Sequence, residues 1–150
     1  MHTSFENKKR AGFVSTRFFG TDGVSLETAK WAEVLENEGF QCYYFAGELD
    51  RPPKVSYLLR KAHFREPDVR QTFRQCFENR VRSPKTTDRI HSLTKNIKKH
   101  LYKFIEQFRI DLLIVQNALT IPLNIPLGLA LTEIVMETGI ATIAHHHDFF

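Results

Sequence analysis

The sequence predicts an α/β protein with a Rossmann-like, mainly parallel sheet and helices on both faces. Short apolar segments of strand length alternate along the chain with amphipathic segments of helical period. Residues 11–47 have the pattern strand, glycine loop, helix, strand, which is a βαβ unit. Residues 111–116 are apolar at nearly every position, as is typical of a strand covered on both faces.

The composition limits the class of protein. The chain has 150 residues, 42% of them hydrophobic, enough for one domain with a core. The 12% of aromatic residues and the net charge of +4 exclude a disordered chain. No apolar run is as long as a membrane span, which needs about 18 residues. Cys42 and Cys76 form no disulfide or zinc pattern, and the first residues lack a signal-peptide core, so we expect a cytoplasmic protein.

The elements of the N-terminal third follow from apolar spacing and glycine. Residues 11–16 are predicted as the first strand and residues 17–23 as a loop. A helix follows and ends at Gly39, and residues 41–46 form an aromatic second strand. The apolar positions that define this helix are Val24, Leu26, Ala29, Trp31, Ala32 and Leu35.

The middle of the chain is predicted to be helical. Residues 69–81 form a helix with Phe73 and Phe77 on one side, and Pro84 ends it. Thr87 is the predicted N-cap of a long amphipathic helix. Its inward positions are Ile90, Leu93, Ile97, Leu101, Phe104, Ile105 and Phe108.

The C-terminal part contributes two more strands. Residues 111–116 form the third strand and residues 140–144 the fourth, with a helix between them that Gly139 closes. The buried stripe of that helix consists of Leu127, Ala130, Leu131, Ile134 and Val135.

The excess of positive charge lies between Arg80 and Arg109, where only Asp88 and Glu106 oppose nine basic residues. Such a stripe is the solvated face of a helix in most proteins, and the alternative is a surface that binds a polyanion. We expect no nucleic-acid partner, because no aromatic residues alternate with the basic ones.

A glycine loop is the first of three polar segments at predicted strand ends. Gly20 and Gly23, with Thr21 and Asp22 between them, can let backbone N–H groups approach an anion at the start of a helix. The alternative is a simple tight turn. Arg17 beside the loop is either a contact for a diphosphate or a surface arginine.

The second polar segment contains Gln116 and Asn117, with Asn124 just beyond. Their amides can bind sugar hydroxyls or phosphate oxygens. Alternatively they cap the next helix, which the sequence alone favours.

The third segment is His145-His146-His147-Asp148, and it is the strongest local signal. Strand geometry would turn His145 and His147 to one side and His146 to the other. A closed zinc site would need further ligands, so we expect no metal. Imidazoles beside a carboxylate suit hydrogen bonds to a polar substrate or proton transfer near neutral pH.

These segments together resemble the start of a family 4 glycosyltransferase. The resemblance rests on residues 12–15 with the glycine loop through Glu27, on Asn117-Ala118-Leu119, and on the segment from Thr142 to Phe149. It implies a retaining enzyme of the hexosyltransferase type with the GT-B fold, in which two Rossmann-like domains face each other. The N-terminal domain would hold a hydroxyl-bearing acceptor and the C-terminal domain a nucleotide-sugar donor, with no further cofactor.

The resemblance also implies roles for individual residues. Gly23, together with Gly20, matches the loop glycine near the donor phosphates. One of the three histidines matches the histidine that contacts the transferred sugar or the acceptor, and His147 is favoured because it directly precedes Asp148. The residues expected in catalysis are His147, His145 and Asp148, and those expected in binding are Gly20, Thr21, Asp22, Gly23, Arg17, Asn117 and His146.

A polar strand end so close to the last residue indicates an incomplete domain. We therefore expect residues 1–150 to be the truncated acceptor-side domain, without the nucleotide-sugar domain and inactive alone. The second hypothesis is the nucleotide-binding domain of an oxidoreductase, with Glu48 as the carboxylate for a ribose, although the glycine pattern is not G-x-G-x-x-G.

Overall fold

The computed structural model describes residues 8–148, in which five parallel strands form one sheet in the order β3-β2-β1-β4-β5. The expected Rossmann-like α/β class is confirmed. The strands are β1 (Arg10–Val14), β2 (Gln41–Ala46), β3 (Ser56–Leu58), β4 (Leu112–Gln116) and β5 (Ala141–His145). The helices are α1 (Gly23–Asn37), α2 (Pro67–Phe77), α3 (Pro84–Phe108) and α4 (Ile125–Thr138). Phe149, the last residue of the segment from Thr142 to Phe149 that carries the resemblance, lies outside the described residues.

One face of the sheet is covered by α1. Phe13 of β1 is fully buried there and stacks on Tyr44 of β2 at 5.5 Å between ring centroids. The predicted apolar stripe of α1 is wrong at Leu26, which is 49% exposed, and at Ala29, which is also exposed, whereas Ser25 and Thr28 are buried. The hydroxyl of Ser25 binds groups of the preceding loop, so this polar side of the helix is the one turned inward.

The opposite face is covered by α3 and α4. Ile97, Leu101 and Phe104 of α3 and Leu131 of α4 are fully buried against β4 and β2. The two helices are also joined outside the core by polar groups. Lys98 donates to Glu133 at 2.7 Å and also to Glu137, and the Tyr102 hydroxyl donates to Glu137 at 2.6 Å. Lys98 in the basic stripe is therefore paired with α4 and is not simply solvated.

The structure corrects the helix boundaries in the middle of the chain. Helix α2 ends at Phe77, not at residue 81, and Pro84 begins α3 and does not end α2. The N-cap of α3 is Ser83, not Thr87, and its side chain accepts from the N–H of Thr86 at 3.2 Å. Proline is favoured at the first helical position because its missing N–H would have no helical partner there.

A strand that the sequence analysis missed lies at one edge of the sheet. Strand β3 has only three residues and pairs with β2 from Tyr44–Ser56 to Ala46–Leu58. So short a segment after two prolines shows no alternation long enough to detect. The predicted fourth strand is therefore β5, which forms the other edge.

Strand β5 is largely exposed, including Ala144 on one face and two residues on the other. Ile143 pairs with the buried Ile114 of β4, yet it is 38% exposed, and Ala141 is exposed on the same side. On this side of β5, the residue that α1 contacts is His145, through Trp31. Among residues 8–148, no helix is long and apolar enough to cross a membrane.

Gly47, directly after β2, is required by a close approach of two chain segments. A Cβ at this position would lie 2.1 Å from the backbone nitrogen of His63. We expect Gly47→Ala to lower the free energy of unfolding by more than about 2 kcal/mol, because backbone must move. Gly23→Ala is the control, since nothing lies within 4 Å of its Cβ position. Urea denaturation would measure both, and equal effects would contradict the close approach.

Candidate functional site

The order of the strands places a cleft above the centre of the sheet. From β1 the chain continues to β2 on one side, whereas β4 lies on the other side of β1 and leads to β5. Loops diverge at such a switch point and leave a crevice at the carboxyl ends of the strands. The cleft has a volume of about 560 Å³. Its lining residues are Thr16, Arg17, Asp22, Gly23, Val24, Phe64, Arg65, Asn117, Leu123, His147 and Asp148.

The glycine loop after β1 is held by hydrogen bonds to neighbouring segments. Gly20 has a φ of 72° and donates its N–H to the Asp50 carboxylate at 2.8 Å. Phe19 donates its N–H to the Ser25 hydroxyl at 3.0 Å. Gly20 therefore forms the tight turn that was one of its two predicted roles, and neither Gly20 nor Thr21 is among the residues that line the cleft.

Asp22 organises the entrance to α1. Its carboxylate accepts from the N–H of Ser25 at 2.9 Å and from the guanidinium of Arg17 at 2.8 Å. Burial alone would raise the pKa of Asp22, but the hydrogen bonds from Ser25 and Arg17 outweigh it and hold the pKa below its usual value. The charge of Arg17 is thus shared with Asp22. Gly23 and Val24 line the cleft in the first turn, where backbone N–H groups have no partner within the helix.

Asn117 holds the end of β5 against the end of β4. It has a φ of 58°, and its side-chain oxygen accepts from the N–H of His147 at 2.7 Å. Its own N–H donates to the His145 carbonyl at 3.0 Å, and its amide nitrogen lies 3.5 Å from Asp148. The capping role falls to Asn124, which accepts from the N–H of Leu127 at 3.0 Å.

The three histidines point in two directions, as the strand pattern predicts. The rings of His145 and His147 lie 4.3 Å apart, whereas His146 contacts the Thr120 hydroxyl in the loop after β4. His147 lines the cleft, and its Nε2 lies 2.6 Å from the side-chain oxygen of the buried Gln116. An Nε2–H that donates to this oxygen leaves Nδ1 of His147 as a hydrogen-bond acceptor.

His145 lies beneath the cleft and does not line it. Its ring packs against Trp31 of α1 at 4.8 Å, and its Nδ1 is buried without a hydrogen-bond partner. Burial lowers the pKa of His145, and the neighbouring His147 and His146 lower it further. The imidazole of His145 is therefore neutral at neutral pH, and it supports the position of His147.

The cleft also contains residues that the sequence analysis did not select. Phe64 and Arg65 belong to the segment between β3 and α2, and Leu123 belongs to the turn before α4. No motif marks them, because each reaches the cleft only through the packing of its segment. Within the part of the chain that the structure describes, no group of three or more His, Cys, Asp or Glu side chains has the geometry to hold a metal ion.

The fold and the cleft define a Rossmann-like protein with a polar site at the switch point of its sheet. The chain is 28% identical over 144 residues to mannosylglucosylglycerate synthase of Petrotoga mobilis, covering 93% of this chain and 32% of that protein. It is also 28% identical over 131 residues to the protein of that name from Thermotoga maritima, covering 86% and 29%. The chain thus spans about a third of the length of these curated relatives.

No family model matches the chain, and no solved structure matches it. Both relatives are glycosyltransferases by name, so at the level of class they support the resemblance seen in the motifs. Family 4 and the retaining mechanism remain predictions.

The low pKa of His145 has a consequence for stability. The imidazole of His145 is protonated at a higher pH in the unfolded chain than in the folded chain. The free energy of unfolding therefore falls as the pH drops below about 6.5. His100, whose pKa burial also lowers, contributes with the same sign. We expect the melting temperature to decrease between pH 7.5 and pH 5.5, and to decrease less in His145→Gln than in the exposed control His91→Gln. A pH dependence that is identical in both variants would contradict the assignment.

Proposed function

We propose that this chain is the acceptor-side part of a retaining glycosyltransferase of family 4, with the GT-B fold. The whole enzyme would transfer a hexose from a nucleotide sugar to a hydroxyl-bearing acceptor. The observation that carries the proposal is the cleft at the switch point, where His147 and Asp148 lie beside the first turn of α1. The similarity to two mannosylglucosylglycerate synthases supports the same class.

His147 is the residue proposed to contact the sugar. Gln116 binds its Nε2, and Asn117 binds its backbone N–H, so both the ring and the backbone of His147 are held. Its Nδ1 then accepts a hydrogen bond from a hydroxyl of the acceptor or of the transferred sugar. Because Asn117 also contacts Asp148, the carboxylate stays close to the same position.

The first turn of α1 is proposed to face the donor diphosphate. Backbone N–H groups at Gly23 and Val24, together with the positive end of the helix dipole, favour an anion there. Arg17 adds positive charge, although Asp22 offsets part of it. Such preorganised dipoles stabilise a departing diphosphate without a bound metal. Gly20, Thr21 and His146 take part indirectly in this proposal, by shaping the two loops.

The relatives are about three times as long as this chain, which supports a larger enzyme. We propose that the nucleotide-sugar domain belongs to that larger protein, that residues 1–150 form one incomplete domain, and that the enzyme is cytoplasmic.

The two alternative functions, an oxidoreductase domain and a polyanion-binding domain, have less support. The carboxylate of Glu48, needed by an oxidoreductase, lies 3.2 Å from His63, and Lys98, needed by a polyanion site, is paired with α4.

The purified chain alone is expected to show no sugar transfer, because the donor would lack its nucleotide-binding domain. The measurement is the release of nucleoside diphosphate from UDP-glucose and GDP-mannose. The acceptor tested is glucosylglycerate, chosen because the relatives are named mannosylglucosylglycerate synthases. Sugar transfer by this chain would contradict the proposal that the donor is bound by a second domain.

Binding of glucosylglycerate by the chain is expected to depend on His147. In titrations followed by NMR, His147→Ala should weaken binding about fivefold, as the loss of one hydrogen bond of about 1 kcal/mol implies. His91→Ala, which changes an exposed histidine of α3, is the matched control. If Lys99→Gln weakens binding and His147→Ala does not, and if added salt weakens it steeply, the chain is a polyanion-binding domain instead.

A further inference from the structure

Two arginines beside the cleft lack an anionic partner. Phe64, Arg65 and Leu123 form one wall of the cleft and also line a second cavity of about 550 Å³, which Arg70 and Phe73 of α2 complete. This volume falls in the range of about 300–1,000 Å³ that small-molecule sites occupy. The cleft and the cavity therefore adjoin each other along the side chain of Arg65.

The acidic groups near these arginines have other partners. Asp148, which lines the cleft together with Arg65, lies 3.5 Å from the amide nitrogen of Asn117. Glu66 accepts from the N–H of Asp68 at the start of α2, and Asp68 lies 3.8 Å from Lys61. Glu78, further along α2, pairs with Arg74 at 3.4 Å. Within residues 8–148, no carboxylate lies within ion-pair distance of the guanidinium of Arg65 or Arg70. The cavity is consequently a site of uncompensated positive charge with the aromatic rings of Phe64 and Phe73 beside it.

The backbone that carries Arg65 is held by a defined pair of side chains. The N–H of Arg65 donates to Nδ1 of His63 at 2.9 Å. Nδ1 must then be an acceptor, so Nε2 carries the proton and donates it to the Glu48 carboxylate at 3.2 Å. The ring of His63 also stacks on Phe64 at 4.5 Å. These contacts tie the position of Arg65 to the end of β2.

We propose that Arg65 and Arg70 form a subsite for an anionic group, a carboxylate or a phosphate, carried by a sugar that occupies the adjoining cleft. Guanidinium groups bind both kinds of anion with charge-assisted hydrogen bonds. The guanidinium of Arg65 lies 5.5 Å from the centre of the Phe64 ring, within the distance of a cation–π contact. His63 and Glu48 are positioning residues for this subsite. The inference rests on the proposed function in that the sugar is held by the cleft.

The test compares glucuronate with glucose, which has the same ring without the carboxylate, and with inorganic phosphate. Titrations of the full chain followed by NMR should show tighter binding of glucuronate than of either other probe. Arg65→Gln and Arg70→Gln should each weaken glucuronate binding about tenfold, the loss expected for a charge-assisted hydrogen bond of about 1.5 kcal/mol. Arg80→Gln, which removes an exposed arginine between α2 and α3, should leave binding unchanged.

The role of His63 is tested by a pair of variants. In His63→Asn the side-chain oxygen can replace Nδ1 as acceptor for the Arg65 N–H, whereas His63→Ala has no acceptor. We expect binding of glucuronate to be weakened in the alanine variant and largely restored in the asparagine variant. Equal affinities in the two variants would remove His63 as a positioning residue. If His63→Ala does not fold, His63→Asn is compared with the unchanged chain instead, and a folded asparagine variant that binds glucuronate much more weakly would contradict the role.

The outcomes separate this subsite from the proposed function. If Arg65→Gln and Arg80→Gln bind glucuronate equally well, the subsite is wrong, whatever His147→Ala does to glucosylglycerate. If phosphate binds as tightly as glucuronate, the site takes a free anion and the link to a sugar is wrong. If the arginine variants lose glucuronate while His147→Ala keeps glucosylglycerate, the subsite stands and the role of His147 in the proposed function fails.

Discussion

The pairing of β1 with β4 at the centre of the sheet is the constraint on which the rest of the structure depends. It joins residues about one hundred positions apart, with Phe13 opposite Ile114 and the N–H of Arg10 donating to the Asp111 carboxylate at 2.8 Å. Because β1 also pairs with β2, its two neighbours carry the chain in opposite directions. The loops after β1 and β4 must therefore separate, and the cleft is the space between them.

The polar groups around this space are bound mainly to one another. Asp22 caps α1 and holds Arg17, Asp50 holds Gly20, and Asn117 joins the ends of β4 and β5. Groups fixed in this way need little rearrangement when a ligand binds, which favours both affinity and catalysis. Two buried atoms are exceptions, since Nε2 of Gln116 and Nδ1 of His145 have no hydrogen-bond partner. They lie opposite each other in the β4–β5 register, directly beneath His147.

The positive charge of the cleft is divided unequally between its two walls. On the α1 side, Arg17 is compensated by Asp22 and the remaining attraction for anions comes from backbone dipoles. On the α2 side, Arg65 is positioned by His63 without a carboxylate of its own. The proposed donor diphosphate and the proposed anionic group of the sugar would therefore face different walls of the cleft. Lys98 of the basic stripe is paired with Glu133 of α4 and is not among the residues that line the cleft.

Local patterns in the sequence determined the fold class and most of the elements. Alternation of strands and helices, the glycines after α1 and α4, and the apolar run of β4 act over a few residues, so they are visible without the tertiary structure. The polar strand ends at Arg17, Asn117 and His147 were visible for the same reason, because parallel strands end at one edge of a sheet. The short edge strand β3 and the Ser83 cap were not, since three residues show no period and several residues near Pro84 could serve as a cap.

Only the tertiary structure decided which of the polar residues share the cleft. Packing places His147 at the cleft and His145 against Trp31, although strand alternation turns both histidines to the same side. It also brings Phe64 and Arg65 to the cleft from a segment without a motif. Their position depends on the contact of His63 with Gly47 and Glu48, which lie about fifteen residues earlier in the chain. Sequence patterns cannot reveal such a contact, because the packing of whole elements, and not local spacing, fixes the distances between segments.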